Sequence, residues 1–94
     1  MLSFDWDEKK NAINISKHGI DFEEASSVFF DESAILFNDP SHSKDEERFL
    51  LLGMSHMTNI CIVCHCYRAS DSVIRIISAR KATKKEVETY VKGI

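Results

Sequence analysis

Ser72-Val73-Ile74-Arg75-Ile76-Ile77, followed after a short link by Thr83-Lys84-Lys85-Glu86, decides how this chain folds. A run dominated by β-branched residues reads as a strand, and a threonine with glutamate three positions on is a capping box that opens a helix, expected from about Lys84 to Val91. Three runs of the same kind precede it: Ala34-Ile35-Leu36-Phe37, Arg48-Phe49-Leu50-Leu51-Leu52 and Ile60-Cys61-Ile62-Val63-Cys64. Polar turns separate them, so the economical arrangement is a meander of four antiparallel strands. Runs this continuously apolar imply that both sheet faces are at least partly covered. The cover comes from upstream as well as from the last helix. Asp7 to His18 carries Ala12, Ile13 and Ile15 among polar residues and meets Gly19, a residue suited to ending helices. Asp21 with Glu24 reads as a capping-box variant before Phe22, Ala25, Val28 and Phe29 at helical spacing. Ser3–Trp6 is one further candidate for a short strand. The expected fold is α+β, with two N-terminal helices, a four-stranded antiparallel sheet and a C-terminal helix.

Ninety-four residues that are 44% apolar and 29% charged make one domain, residues 1–94, with a modest core. No internal repeat or linker divides it. No run of 18 apolar residues occurs, and the N-terminus lacks the basic-then-apolar order of a signal peptide, so the expectation is a cytoplasmic protein with no membrane partner. Three cysteines, Cys61, Cys64 and Cys66, lie in one apolar stretch and suit reduced, buried thiols better than disulfides. The net charge of −3 taken alone argues against nucleic acid. Its distribution argues otherwise. Residues 1–47 hold four Lys/Arg against twelve Asp/Glu, net −8, and residues 48–94 hold eight against three, net +5. Such asymmetry points to nucleic acid or to an oppositely charged protein partner.

The basic residues gather where the last strand meets the last helix: Arg80-Lys81 and Lys84-Lys85, beside free N–H groups of a helix N-terminus. They either hold a phosphate or are solvated cations that answer the acidic helices. Arg75, alone inside Val-Ile-Arg-Ile-Ile, must reach solvent or a partner, because an unpaired buried charge is costly. On a cleft floor its guanidinium would clamp a phosphate bidentately. His18 ends the first helix, where imidazole serves either proton transfer or C-terminal capping. Tyr90 either projects toward the basic cleft or packs its helix. Strict alternation sends Cys64 and Cys66 to one face and Cys61 and His65 to the other, so no single metal is wrapped. Asp39, His42 and Glu46 or Glu47 read as solvated loop residues, and no metal or cofactor is expected. The stripe Trp6, Phe22, Phe29, Phe30 and Phe37 reads as core packing.

The chain also resembles a known family almost from end to end. Phe4-Asp5-Trp6-Asp7, Asn14, Lys17-His18-Gly19-Ile20, Phe22-Glu23-Glu24-Ala25, Val28-Phe29, Asp39, His42, Glu47-Arg48, Gly53 and Ile74-Arg75-Ile76-Ile77-Ser78-Ala79-Arg80-Lys81-Ala82-Thr83, with Glu86 and Tyr90, look like the BrnT toxins. The resemblance implies a fold similar to RelE-type ribonucleases and a prokaryotic type II toxin that arrests growth by cutting RNA. Its partner would be a BrnA-type ribbon-helix-helix antitoxin, through which alone it would meet operator DNA. Cleavage without a metal needs a base, an acid and cations for the developing phosphate charge. On this resemblance His18 does acid/base work, Arg75 and Arg80 stabilise the transition state, and Tyr90 is a lesser proton-transfer candidate. Lys17, Arg48, Lys81 and Lys84 hold the RNA backbone. The alternative is a catalytically inactive interaction module that binds a DNA-binding antitoxin to form a transcriptional repressor.

Overall fold

In the computed structural model, which describes residues 2–39, 46–70 and 72–93, the chain runs through β1 (Ser3–Asp5), α1 (Glu8–His18), α2 (Phe22–Ser27), one 3₁₀ turn (Val28–Phe30), β2 (Ile35–Asn38), β3 (Phe49–Met54), β4 (Ile60–Arg68), β5 (Val73–Lys81) and α3 (Lys84–Lys92). Pro40 and His42 lie outside the described residues. Local chemistry sets the helix ends. Asp7 accepts the Lys9 and Lys10 N–H groups at the start of α1, and Gly19 ends it at φ 71°, with its N–H on the Ile15 carbonyl. Thr83 and Glu86 form the expected reciprocal box on α3. On α2 only half of the box forms. Asp21 accepts the Glu24 N–H (2.7 Å), but the Glu24 carboxylate turns inward to accept from Ser55 Oγ and Asn59 Nδ2, both at 2.7 Å. A buried carboxylate thereby fixes the β3–β4 turn.

The sheet corrects the expectation of four antiparallel strands: it has five, in the order β1-β5-β4-β3-β2, and it is mixed. β2 to β5 form the meander, while β1 pairs parallel to β5 with Phe4 opposite Ile74 and Asp5 opposite Arg75. So short a strand has no period to read, and its partner is too distant in the chain for any turn to announce it. What fixes it is tertiary: Phe4 packs edge-on to Phe29 at 5.4 Å, and Asp5 bonds Arg75 at 2.6 Å.

One sheet face carries Leu51, Cys61, Val63, Ile74, Ile76 and Ala79 against Ile20, Phe22, Ala25 and Val28. The other carries Leu50, Leu52 and Ile62, with α3 over one end. The 3₁₀ turn comes so close to β3 that a Cβ on Gly53 would lie 2.9 Å from Val28 Cγ1 and from Ala34 Cβ, which accounts for a glycine inside a strand. Trp6, Phe22 and Phe29 belong to the core as expected. Phe30 and Phe37 do not, being 66% and 38% exposed, one at the end of the 3₁₀ turn and the other on the edge strand β2.

β4 keeps its alternation, and β5 does not. Cys64 pairs with Ser78 and His65 with Ile76, leaving Ile77 as an extra residue on β5. His65 faces the helices, completely buried among Phe29 (4.7 Å), Tyr67 (5.4 Å) and Phe49 (5.9 Å). Its Nδ1 lies 3.2 Å from the Val63 carbonyl, and its Nε2 has no hydrogen-bond partner among the described residues. Burial holds its pKa below the ordinary 6.5. The unfolded chain therefore takes up this proton at higher pH than the folded one, and stability falls as pH drops below about 6.5. His65→Phe, which keeps an aromatic ring in the cluster, should lose part of this acid sensitivity; urea denaturation of both proteins across that range would show the unmodified protein's stability falling more steeply with pH than the variant's.

Candidate active site

Alternation alone would place Arg75 and Arg80 on opposite faces of β5, because they stand an odd number of positions apart. The extra residue at Ile77 cancels that. Arg75 stands opposite Cys66 and Arg80 opposite Ile62, both on the face away from α1 and α2.

Past Arg75, β5 has no pairing with β1, and the side chain of Asn14 takes over its edge. Asn14 Oδ1 accepts the Ala79 N–H at 3.0 Å, while Nδ2 donates to the Ala79 and Ile20 carbonyls, both at 2.8 Å. One turn earlier, Asn11 Oδ1 accepts the Phe22 N–H at 2.8 Å. Two amides on one helix face thus dock α1 along β5 and hold the chain that leaves it. His18, at the end of α1, comes to the rim of the open sheet face.

There a cavity of about 210 Å³ is lined by His18, Arg48 and Arg80, with Asp39, Cys64 and Ser78 among its other walls. Arg80 reaches it already oriented. Its NH1 and NH2 fork onto Glu86 Oε1 and Oε2 at 2.8 and 2.9 Å, and Glu86 Oε1 also accepts the Thr83 N–H. Those bonds from Arg80 pull the Glu86 carboxyl down to about 2, and the same bonds raise Arg80. Arg48 contributes a buried Nε without a hydrogen-bond partner among the described residues, 3.9 Å from Glu46. Cys64 Sγ lies 3.9 Å from Asp39 Oδ2, and desolvation followed by the Asp39 charge raises its pKa; Cys61 is pushed up to about 11, mainly by burial. Thiols so held are poor nucleophiles.

Among the eight residues expected from the sequence, the structure brings His18, Arg48 and Arg80 to one cavity. Arg75 is on the same sheet face but away from that cavity, bound to Asp5 at 2.6 Å. Lys17 and Lys84 are exposed, the first next to His18 and the second at the start of α3. Lys81 stands opposite Cys61, on the other face. Tyr90 packs its helix rather than entering the basic cleft: its hydroxyl donates to Asp31 Oδ2 at 2.6 Å, and that bond pushes it up to about 12. Asp31 also accepts the Ser33 and Met54 N–H groups. Asn14 stood in the sequence motif without a role, and Glu86 with none beyond the capping box. Among the described residues no three His, Cys, Asp or Glu side chains converge as metal ligands.

Residues 6–86 match the family model described as ribonuclease toxin, BrnT, of type II toxin-antitoxin system. The chain belongs to the BrnT family. Among solved structures it is similar to the Brucella abortus ribonuclease toxin BrnT, with 28% identity, a TM-score of 0.66, and cover of 89% of this chain and 99% of that one. Among curated proteins nothing matches. The family match takes in β2 to β5, α1 and the Arg80–Glu86 fork; it begins just after β1 and ends before Tyr90. Among the described residues no helix is long and apolar enough to cross a membrane.

If the Asn14 amide is what docks α1, Asn14→Ala strands the Ala79 N–H and carbonyl and the Ile20 carbonyl. The variant should lose about 3 kcal/mol or more in urea denaturation, since each of the three stranded groups costs roughly 1–3 kcal/mol.

Proposed function

We propose that this BrnT toxin cuts RNA at the cavity that joins His18, Arg48 and Arg80, by attack of a 2′-hydroxyl on the adjacent phosphorus. The observation that carries the reading is the convergence of an imidazole and two guanidinium groups from the end of α1, the residue before β3 and the far part of β5. In the step, the 2′-oxygen bonds to phosphorus and the bond to the 5′-oxygen breaks, leaving a 2′,3′-cyclic phosphate and a 5′-hydroxyl. His18 serves proton transfer, taking the 2′-hydroxyl proton, and water at this open rim supplies the proton of the leaving oxygen. Arg48 and Arg80 hold the phosphate oxygens as their charge grows, the kind of preorganised stabilisation worth about 3–4 kcal/mol per donor. Lys17 and Lys84 extend the basic rim for neighbouring phosphates. Arg75 tightens the RNA path from beyond the cavity, Lys81 contacts RNA only where the strand leaves the sheet, and Tyr90 supports α3.

The type II setting supplies the partner class. A BrnA-type ribbon-helix-helix antitoxin would neutralise the toxin and carry it to operator DNA. The acidic first half of the chain suits basic residues of such a partner, because complementary charge speeds association and selects partners. No step above routes through a metal or cofactor, and the chemistry proceeds in the cytoplasm.

A second reading draws on the carboxylates already bound by Arg75 and Arg80: the site is closed, and the chain serves with its antitoxin as a repressor. Induced expression without the antitoxin separates the two. The nuclease reading predicts growth arrest and RNA fragments bearing cyclic phosphate ends. Arg80→Ala should abolish both, with cleavage by purified protein down about 100-fold or more, whereas Arg75→Ala should reduce cleavage much less. Intact RNA and normal growth with the unmodified chain would leave the repressor reading.

A further inference from the structure

A second hollow, about 380 Å³, lies across the same end of the sheet, lined by Glu46, Glu47, Phe49 and Tyr67. Arg48 faces the catalytic cavity while its neighbours Glu47 and Phe49 face this hollow. We propose that the hollow is a nucleobase site and that it takes guanine. This rests, for its use on RNA, on the ribonuclease reading above.

Two aromatic rings form its walls, Phe49 and Tyr67, with centroids 5.3 Å apart and planes 64° apart. Behind them His65 is fully buried and packs against both, so the walls are rigidly backed. Partly exposed aromatics on a firm base are what an unstacked base replaces its neighbours with. The carboxylates choose which base. Glu46 is occupied, with Arg68 at 3.4 Å and Arg48 at 3.9 Å, and these arginines flank the hollow with positive charge suited to the phosphates on either side of a nucleotide. Glu47 is exposed and has no ion pair among the described residues. An ionised carboxylate accepts on both oxygens and donates nothing. Guanine alone offers two adjacent donors, N1–H and the 2-amino group, to such a fork. Adenine and cytosine set an amine beside an acceptor, and uracil sets one N–H between two carbonyls. An RNA strand bending over the sheet end therefore places a phosphate on Arg48 and the adjoining guanine against the Phe49–Tyr67 wall, with its N1–H and 2-amino edge on Glu47.

The test titrates the purified protein with 5′-GMP, AMP, CMP and UMP, reading the NMR signals of Phe49 and Tyr67, and in parallel digests RNAs that differ at one base. GMP should bind roughly tenfold more tightly than the others, the discrimination expected of one bidentate contact. RNAs should be cut preferentially beside guanine, and Glu47→Gln should erase both preferences without changing the folded spectrum. Equal response to all four nucleotides, no response at Phe49 and Tyr67, or an undiminished GMP preference in Glu47→Gln would overturn the proposal, whether or not RNA is cut. Selective GMP binding by a chain that cuts no RNA would uphold the hollow as a guanine-nucleotide site and refute the nuclease reading instead.

Discussion

The Asn14 side chain sits at the point where a strand is missing. β1 covers the edge of β5 only as far as Arg75, and beyond it the backbone of Ala79 would be buried under α1 with both polar groups unpaired. A single amide, donor on one side and acceptor on the other, replaces that strand for one residue and also ties down the Ile20 carbonyl. Everything placed at the open face depends on this. It holds the end of α1 against the sheet, hence where His18 stands, and it pins β5 just beyond the extra residue that turns Arg80 toward the same side as Arg75. Buried amides of this kind fix one arrangement because each alternative leaves a polar group unsatisfied.

Electrostatics then explains how a chain with net charge −3 presents a phosphate site. The open-face arginines come with carboxylates: Arg75 with Asp5, Arg80 with Glu86, Arg48 near Glu46. These partners keep the cations oriented before any ligand arrives, so little ordering remains to oppose binding. They also moderate the long-range field, which favours local recognition over indiscriminate attachment to polyanions. Glu86 serves two masters, orienting Arg80 and closing the capping box of α3, and so couples the helix start to the site.

Most of the elements were legible because their signals are local. Gly19, the Thr83–Glu86 box and the four apolar runs each depend on a few adjacent residues, and each fixes an element near where the structure has it. β1 was nearly silent because its partner is distant and its length too short for a pattern. The Glu24 carboxylate left its own helix for Ser55 and Asn59, a choice set by tertiary burial. The site was half legible. Its residue types were visible as a basic cluster and a helix-ending histidine, but the grouping of His18 with Arg48 and Arg80 depends on the Asn14 dock and the unpaired Ile77, and neither leaves a mark in periodicity. Tyr90 illustrates the converse. Its position in the motif suggested the cleft, and Asp31 draws it elsewhere.

The claim that most depends on this geometry is that His18, Arg48 and Arg80 act as one phosphate site. A dinucleotide whose 2′-hydroxyl is replaced by hydrogen cannot be cut and can be titrated into the protein while the imidazole and guanidinium NMR signals are followed. Signals of His18, Arg48 and Arg80 should move together with a single midpoint, while Lys81 stays still. Movement at Arg75 and Lys81 with His18 and Arg48 unaffected would contradict the account.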